Sequence, residues 1–198
     1  MFELSARAQD YVERTKQFIQ NEIEPIEPDF WHEVHELNQG GDWTKWQWPA
    51  QLEMLKAKAK AAGLWNMFLP CPELGQGLSV QEYAHIAELT GRSLLAPTVF
   101  NCNAPDSGNM EVLWRYGSEA QKQEWLTQLL DGKIRSVFCM TEPAVASSDA
   151  TNMQATAVIE GDEIVLNGRK WWSSGLGDPN AKIIIFMAHT PDETKDRH

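Results

Sequence analysis

Leu130-Asp-Gly-Lys-Ile-Arg-Ser-Val-Phe-Cys-Met-Thr-Glu-Pro143 is the stretch where the chain changes its hydrophobic period. Before it, apolar residues recur every three or four positions: Trp125, Leu126, Leu129 and Leu130 share one helical face, and Gly132 stops that helix. After it the pattern belongs to strands. Ile134 to Met140 is β-branched and aromatic, and Met153 to Ile159 alternates. Gly161-Asp162 makes a turn, Ile164 to Leu166 resumes, and Ile183 to Phe186 reads as one more buried strand. The spacing therefore predicts an α+β chain: an all-α helical domain over residues 1–133, then an incomplete antiparallel β-domain over 134–198. Incomplete, because these strands have no closing partner and leave an exposed edge.

Working outward, Tyr11, Thr15, Phe18, Ile19 and Ile23 fall on one helical face, with Pro25 and Pro28 as stops. The stretch 29–49 is aromatic and acidic, contains Gly40-Gly41, and is expected to be a long loop with one short helix. A helix follows from Pro49 to Ala62, then a loop over 64–78 punctuated by Pro70, Pro72, Gly75 and Gly77. Ser79 with Glu82 reads as a capping box opening a helix to Thr90, and Ser118 with Gln121 as a second. Between them Met110, Leu113 and Trp114 mark a helix to Gly117.

Of 198 residues, 42% are hydrophobic and 23% charged, the balance of an ordinary globular protein. No apolar run approaches the roughly 18 residues that would span a membrane. The net charge of −11 disfavours a nucleic-acid partner, and residues 1–50 hold 10 acids against 4 bases. Lys56, Lys58 and Lys60 form the one basic cluster, read as a solvated helix edge, with an anion contact as the alternative. Three widely spaced cysteines fit a reducing compartment. The acidic start argues against an Arg-rich transit peptide, so a cytoplasmic location is expected, mitochondrial or peroxisomal in a eukaryote. His32 and His35 stand three apart in a loop-like stretch, where a zinc-binding helix needs four, so no metal site is expected.

Two stretches carry chemistry. Phe138-Cys-Met-Thr-Glu-Pro143 runs into Ala144-Val-Ala-Ser-Ser-Asp149, a strand entering a loop of small residues that lets a ligand approach the backbone. Thr141, Ser147 and Ser148 add hydroxyls, although a plain turn has the same composition. In Asn167-Gly-Arg-Lys-Trp-Trp-Ser-Ser-Gly175, two adjacent indoles at a strand end would point to opposite faces, one to the core and one over a planar ligand. Ser174 would share a face with Trp172. Two core tryptophans are the alternative.

Taken together, in this order and separation, these stretches resemble the acyl-CoA dehydrogenase family of flavoproteins. Tyr116-Gly-Ser-Glu-Ala-Gln-Lys122, Trp125-Leu126 and Leu130 to Arg135 resemble the segment leading into the family's Thr-Glu-Pro motif, and the likeness covers almost the whole chain. The loop Ala144-Val-Ala-Ser-Ser148 is one residue longer than the Gly-Ala-Gly-Ser of many members. Trp65-Asn-Met-Phe-Leu-Pro70 and Asn101 to Met110 look like the branch handling longer acyl chains.

The resemblance implies an N-terminal helical domain, a middle β-domain and a C-terminal helical domain, of which this chain matches the first and the opening of the second. It implies FAD as cofactor, an acyl-CoA thioester as substrate, and α,β-dehydrogenation with electrons passed to the flavin. Phe138, Met140, Thr141, Trp172, Ser173 and Ser174 would contact the flavin. Ser174 stands where many members have Thr. Ser148 would reach the acyl-CoA. The catalytic Glu belongs to the C-terminal domain, so no catalytic residue is expected in this chain, which is expected to be an inactive fragment by itself. Glu142 would brace the turn. Electron-transfer flavoprotein or another acceptor, and a second copy in a homo-oligomer, are the implied partners. A flavin oxidase or monooxygenase of the same superfamily, or a non-catalytic helical module that binds a partner chain, are the alternative readings.

Overall fold

The computed structural model of this chain describes residues 3–190. Its first half is helical, and each helix begins or ends for a local reason. Ser5 caps α1 (Ala6–Phe18) by accepting from the Ala8 N–H at 3.1 Å. The same hydroxyl donates to Glu82 at 2.6 Å. Glu82 in turn closes the capping box with Ser79 that opens α4 (Val80–Thr90), so one carboxylate joins two helix starts. A π turn, Ile19–Ile23, carries α1 two residues short of Pro25. There the regular helix ends: Glu24 is still helical, at φ −53° and ψ −40°, but Pro25 has no N–H with which to continue the ladder.

The expectation of a loop over 29–49 is corrected. α2 occupies Glu27–Leu37, with Pro28 in its first turn, where a proline's missing N–H costs nothing. Pro28 starts a helix here instead of ending one. A 3₁₀ turn, Trp43–Lys45, follows the Gly40-Gly41 bend. α3 spans Gln51–Ala61, close to the expected bounds. α5 (Ala96–Val99) is a short helix whose entry Ser93 stabilises by accepting from the N–H groups of Leu95 and Ala96. α6 covers Asp106–Tyr116. The second capping box opens α7 (Glu119–Gln121), which passes through a π turn, Lys122–Leu126, into α8 (Thr127–Leu130).

Among the described residues two apolar clusters result. The larger gathers Phe18, Ile23, Phe30, Leu64, Met67, Ile86 and Phe100, with the Phe18 and Phe100 rings edge to face at 5.3 Å. The smaller gathers Met110, Leu113, Leu126, Leu129 and Ile134. Phe68 touches both, and Ile183 from the β half packs on the second. Lys56 corrects the solvated-edge reading: it is buried, with its ammonium on Glu53 at 2.7 Å, whereas Lys58 and Lys60 are exposed.

The end of α8 is closed from the helical half. Trp65 Nε1 and Asn66 Nδ2 donate to the Leu130 carbonyl, and Asn101 Nδ2 donates to the Leu129 carbonyl. Gly132 lies at φ +68° against the Trp65 ring, where an added Cβ would stand 2.8 Å from Cζ2. That glycine lets the chain turn from helix into β1 (Arg135–Cys139).

β2 (Thr156–Glu160) and β3 (Glu163–Asn167) form the expected antiparallel hairpin around Gly161, which sits at φ +64°. The other pair departs from the antiparallel expectation. β1 runs parallel to β4 (Ala181–Phe186), with Val137 opposite Ile184 and Phe138 opposite Ile185. A parallel pair needs a long crossover, and the whole hairpin lies within it. Beyond β4, His189 exchanges backbone hydrogen bonds with Ala155 and Ala157, which ties the two pairs together. Ile159, Ile164 and Leu166 of the hairpin are exposed. Residues 150–152 form a 3₁₀ turn, held by Asp149 accepting from the Thr151 N–H and hydroxyl, and the strand expected from Met153 begins only at Thr156.

Candidate functional site

The site is assembled where β1 ends. Alternation along β1 buries Val137 and Cys139 and turns Phe138 outward, 37% exposed. The chain then bends through Met140, Thr141 and Glu142, and the inner side of this corner is fully bonded. Lys170 Nζ donates to the Met140 carbonyl at 2.9 Å, and the Trp171 N–H to the Thr141 carbonyl at 3.1 Å. Glu142 is 4% exposed. Its Oε1 accepts from Lys170 Nζ at 2.8 Å and from the Ala155 N–H at 2.9 Å, and its Oε2 from the Gln154 N–H at 2.8 Å. The Glu142 N–H donates to Ser147 Oγ at 2.7 Å. Lys170 also lies over the Phe186 ring of β4, 5.1 Å from its centroid.

Burial would raise the Glu142 carboxyl, but the Lys170 ammonium and the two backbone N–H groups outweigh it and hold the group down at about 2. Glu142 is therefore an anion near neutrality that accepts three hydrogen bonds, and it braces the turn as expected. Lys170 was quoted in the motif without a role. The one signal available to sequence reading was a cation in one motif and an anion in the other, 28 positions apart.

The paired indoles correct the opposite-face expectation. β3 ends at Asn167, Gly168 turns the chain, and Trp171 and Trp172 both stand in solvent at 46% and 78% exposure. Their rings meet at 5.7 Å with 58° between planes. Neither is a core tryptophan. Trp172 sits at φ +56°, a left-handed conformation that bulky residues avoid and that marks stored strain. Ser173, directly after this pair, is half-buried, and so are Met140 and Thr141, which Lys170 and the Trp171 N–H tie to it. Ser174 opens a 3₁₀ turn, Ser174–Gly177, and faces a cavity instead of sharing a strand face with Trp172. Ser148 is exposed on the loop, while its neighbour Ser147 is the buried one that bonds the corner.

That cavity, about 660 Å³, lies between the two halves of the chain. Trp31 and Trp48 wall it from the helical side, their rings 6.5 Å apart. Trp46 lies over Gly177, where an added Cβ would stand 2.8 Å from the ring. Trp48 Nε1 donates across to Asp178 Oδ2 at 3.2 Å. No signal in the sequence joins these segments.

Among the described residues no cluster of His, Cys, Asp and Glu is arranged to hold a metal ion, and no helix is long and apolar enough to cross a membrane. His32 and His35 are exposed on α2, on a helix after all but three apart. Cys71, Cys102 and Cys139 are free and buried.

Residues 5–133 match the family model described as acyl-CoA dehydrogenase, N-terminal domain, and residues 137–198 the one described as acyl-CoA dehydrogenase, middle domain. Acyl-CoA dehydrogenase family member 11 of Gallus gallus is 49% identical over 198 residues, which is all of this chain and 25% of that protein. A solved structure from Mycobacterium abscessus is 60% identical with a TM-score of 0.91, over 98% of this chain and 49% of the other. An acyl-CoA dehydrogenase from Bacillus anthracis, solved in complex with FAD, is 26% identical with a TM-score of 0.64, over 95% of this chain and 29% of that one. The chain thus spans about a quarter of the curated relative and half of the most similar of these structures.

Proposed function

This chain belongs to the acyl-CoA dehydrogenase family, and we propose that it supplies the flavin-facing and substrate-facing surfaces of an FAD-dependent enzyme that desaturates an acyl-CoA thioester between its α and β carbons. Residues 1–133 are its helical domain and 134–198 the opening of its β-domain. The observation that carries the reading is the Glu142–Lys170 brace. It fixes the Met140–Thr141 corner beside Trp171 and Trp172, leaving Phe138 and a strained Trp172 with open aromatic surface and Thr141 with a hydroxyl. A flat tricyclic ring with polar edges fits such a surface, since aromatic faces and nearby donors suit a planar heterocycle.

Bound there, FAD supplies the electron acceptor of the oxidation. Trp172 would cover the ring, Phe138 and the Met140 backbone would support it, and the hydroxyls of Thr141, Ser173 and Ser174 would bond its polar edge. Each hydrogen bond to a charged edge contributes roughly 1.5–3 kcal/mol. Ser148, on the exposed loop, contacts the CoA portion of the substrate. Glu142 is not the base that takes the α proton: a buried carboxyl held at about 2 by Lys170 and two backbone N–H groups is a poor proton acceptor near neutrality. The base comes from the family's C-terminal helical domain, outside the two domains matched here. Electron-transfer flavoprotein or a similar acceptor reoxidises the enzyme, which assembles as a homo-oligomer in a reducing compartment.

The test is the absorbance of the purified chain after incubation with FAD and removal of free ligand. Retained flavin absorbance is the expected result. A folded chain that retains none refutes the claim that this corner holds the ring.

A further inference from the structure

We propose that the cavity walled by Trp31, Trp46 and Trp48 receives the acyl group and selects a bulky, uncharged one against one ending in a carboxylate. The inference rests on the reading above only in taking the ligand to be an acyl thioester. It stands on the walls and the charge of the cavity.

The volume, about 660 Å³, lies within the roughly 300–1,000 Å³ of small-molecule sites. Three indoles and Pro105 present wide, flat apolar surface. Such surface favours thick groups, rings and branches, whose faces lie against indole. Ser174, assigned above to the flavin's polar edge, also borders this cavity, so a group held here lies beside that site.

The polar end decides the charge. Arg135 lines the cavity and is already paired in charge, although its buried Nε and Asp106 Oδ2 make no well-formed hydrogen bond. Its Nε is paired with Asp106, which is 1% exposed. The Asn103 amide, in the orientation that turns its oxygen toward donors, accepts from both terminal guanidinium nitrogens. Asp178 Oδ2 stands 4.0 Å from Nη1. Asp106 is held in turn by the Ser136 N–H and hydroxyl at 2.7 and 2.6 Å, so it cannot swing away. Asp178 is held by Trp48 Nε1 and the Asn180 N–H. One guanidinium against two carboxylates leaves this end formally negative. His35, the other lining group able to carry a positive charge, is exposed on α2. A carboxylate entering at the Arg135 end meets two carboxylates and a cation already paired with them, the arrangement that makes buried charge costly. An uncharged acyl group meets no such penalty.

The test uses N-acetylcysteamine thioesters, which carry the acyl group without the charges of CoA, added to the 198-residue chain. The probes are the cyclohexylacetyl thioester and the glutaryl monothioester. The reporter is the Trp48 indole N–H resonance, assigned with Trp48→Phe. The cyclohexylacetyl probe is expected to shift it and to bind at least about tenfold more tightly than the glutaryl probe at pH 7. Asp178→Asn, which keeps an acceptor for Trp48 but removes one negative charge, is expected to narrow that ratio. Equal or tighter binding of the glutaryl probe overturns the proposal, and so does a Trp48 resonance that neither probe moves. The wild-type comparison decides even if the variant folds poorly. No flavin is needed. Acyl binding without FAD retention therefore fails the flavin reading alone, and FAD retention without acyl binding fails this one alone.

Discussion

Removing the Lys170 ammonium tests the brace beneath the candidate site. Lys170→Met keeps most of the side-chain volume but takes away the cation that faces Glu142, whose residue is 4% exposed, and the donor to the Met140 carbonyl. Two backbone N–H groups, from Gln154 and Ala155, would remain on the carboxylate. Breaking a buried pair from one side typically costs about 3–5 kcal/mol, because a charge is left without its counter-ion. The retained N–H groups place the expected loss near the lower end, about 3 kcal/mol. In a chain of this size that lowers the melting temperature by roughly 6–12 °C. The same pair makes a pH prediction. Glu142 is depressed from 4.5 to about 2 in the folded chain. Its contribution is therefore complete above pH 4.5 and is lost as pH falls through about 2. Lys170→Met should flatten that acid limb. Urea titrations at pH 7 and pH 3.5 on both proteins measure it. The double variant Lys170→Met with Glu142→Gln should recover part of the loss, since no charge is then stranded. A single variant within about 0.5 kcal/mol of the wild type, the scatter of ordinary surface changes, would falsify the claim that this ion pair holds the corner.

Trp172→Ala should leave stability within about 0.5 kcal/mol, because the indole is 78% exposed, yet weaken FAD retention at least about tenfold; equilibrium dialysis against FAD alongside a melting curve separates the two effects. Gly132→Ala should cost roughly 2–3 kcal/mol, from a left-handed φ of +68° plus a Cβ 2.8 Å from the Trp65 ring, and a melting temperature unchanged from wild type would contradict it. Cys102 is buried beside Tyr83, and burial pushes its thiol up to about 11. It should therefore resist alkylation at pH 8 until urea unfolds the chain, which mass spectrometry of the labelled peptides reads directly.

How much of this was legible in the sequence depends on how local the cause is. Ser79 with Glu82, and Ser118 with Gln121, declared their helix starts because a capping box is complete within four residues. The hairpin around Gly161 was legible for the same reason. Pro28 misled, since a proline reads alike as the end of one helix and the first turn of the next, and only the packing of Phe30 into the core separates the two. The π turns at Ile19–Ile23 and Lys122–Leu126 leave no trace in composition. The parallel register of β1 with β4 was out of reach, because an apolar run does not say which strand it will join. At the site, the residues of the two motifs were found, but not their directions. Trp171 and Trp172 were expected on opposite faces of a strand that had ended at Asn167. The cavity was invisible, being built from α2, the Trp46–Trp48 segment, Pro105, Arg135 and the Ser174–Pro179 turn, far apart in the chain.

The attachment of β1 has a consequence for biosynthesis. Ser136 of β1 is bonded to Asp106 and Asn109 on α6, and Ile134, just before it, belongs to the smaller helical cluster. β1 thus has partners that leave the ribosome before it does. Its sheet partner, β4, begins only at Ala181 and emerges a few seconds later at about 5–20 residues per second. During that interval β1 is docked on finished helices, and the edge that β4 will fill is the one left waiting. The nascent chain therefore presents a half-covered strand rather than a free one, and the helical half acts as its first chaperone.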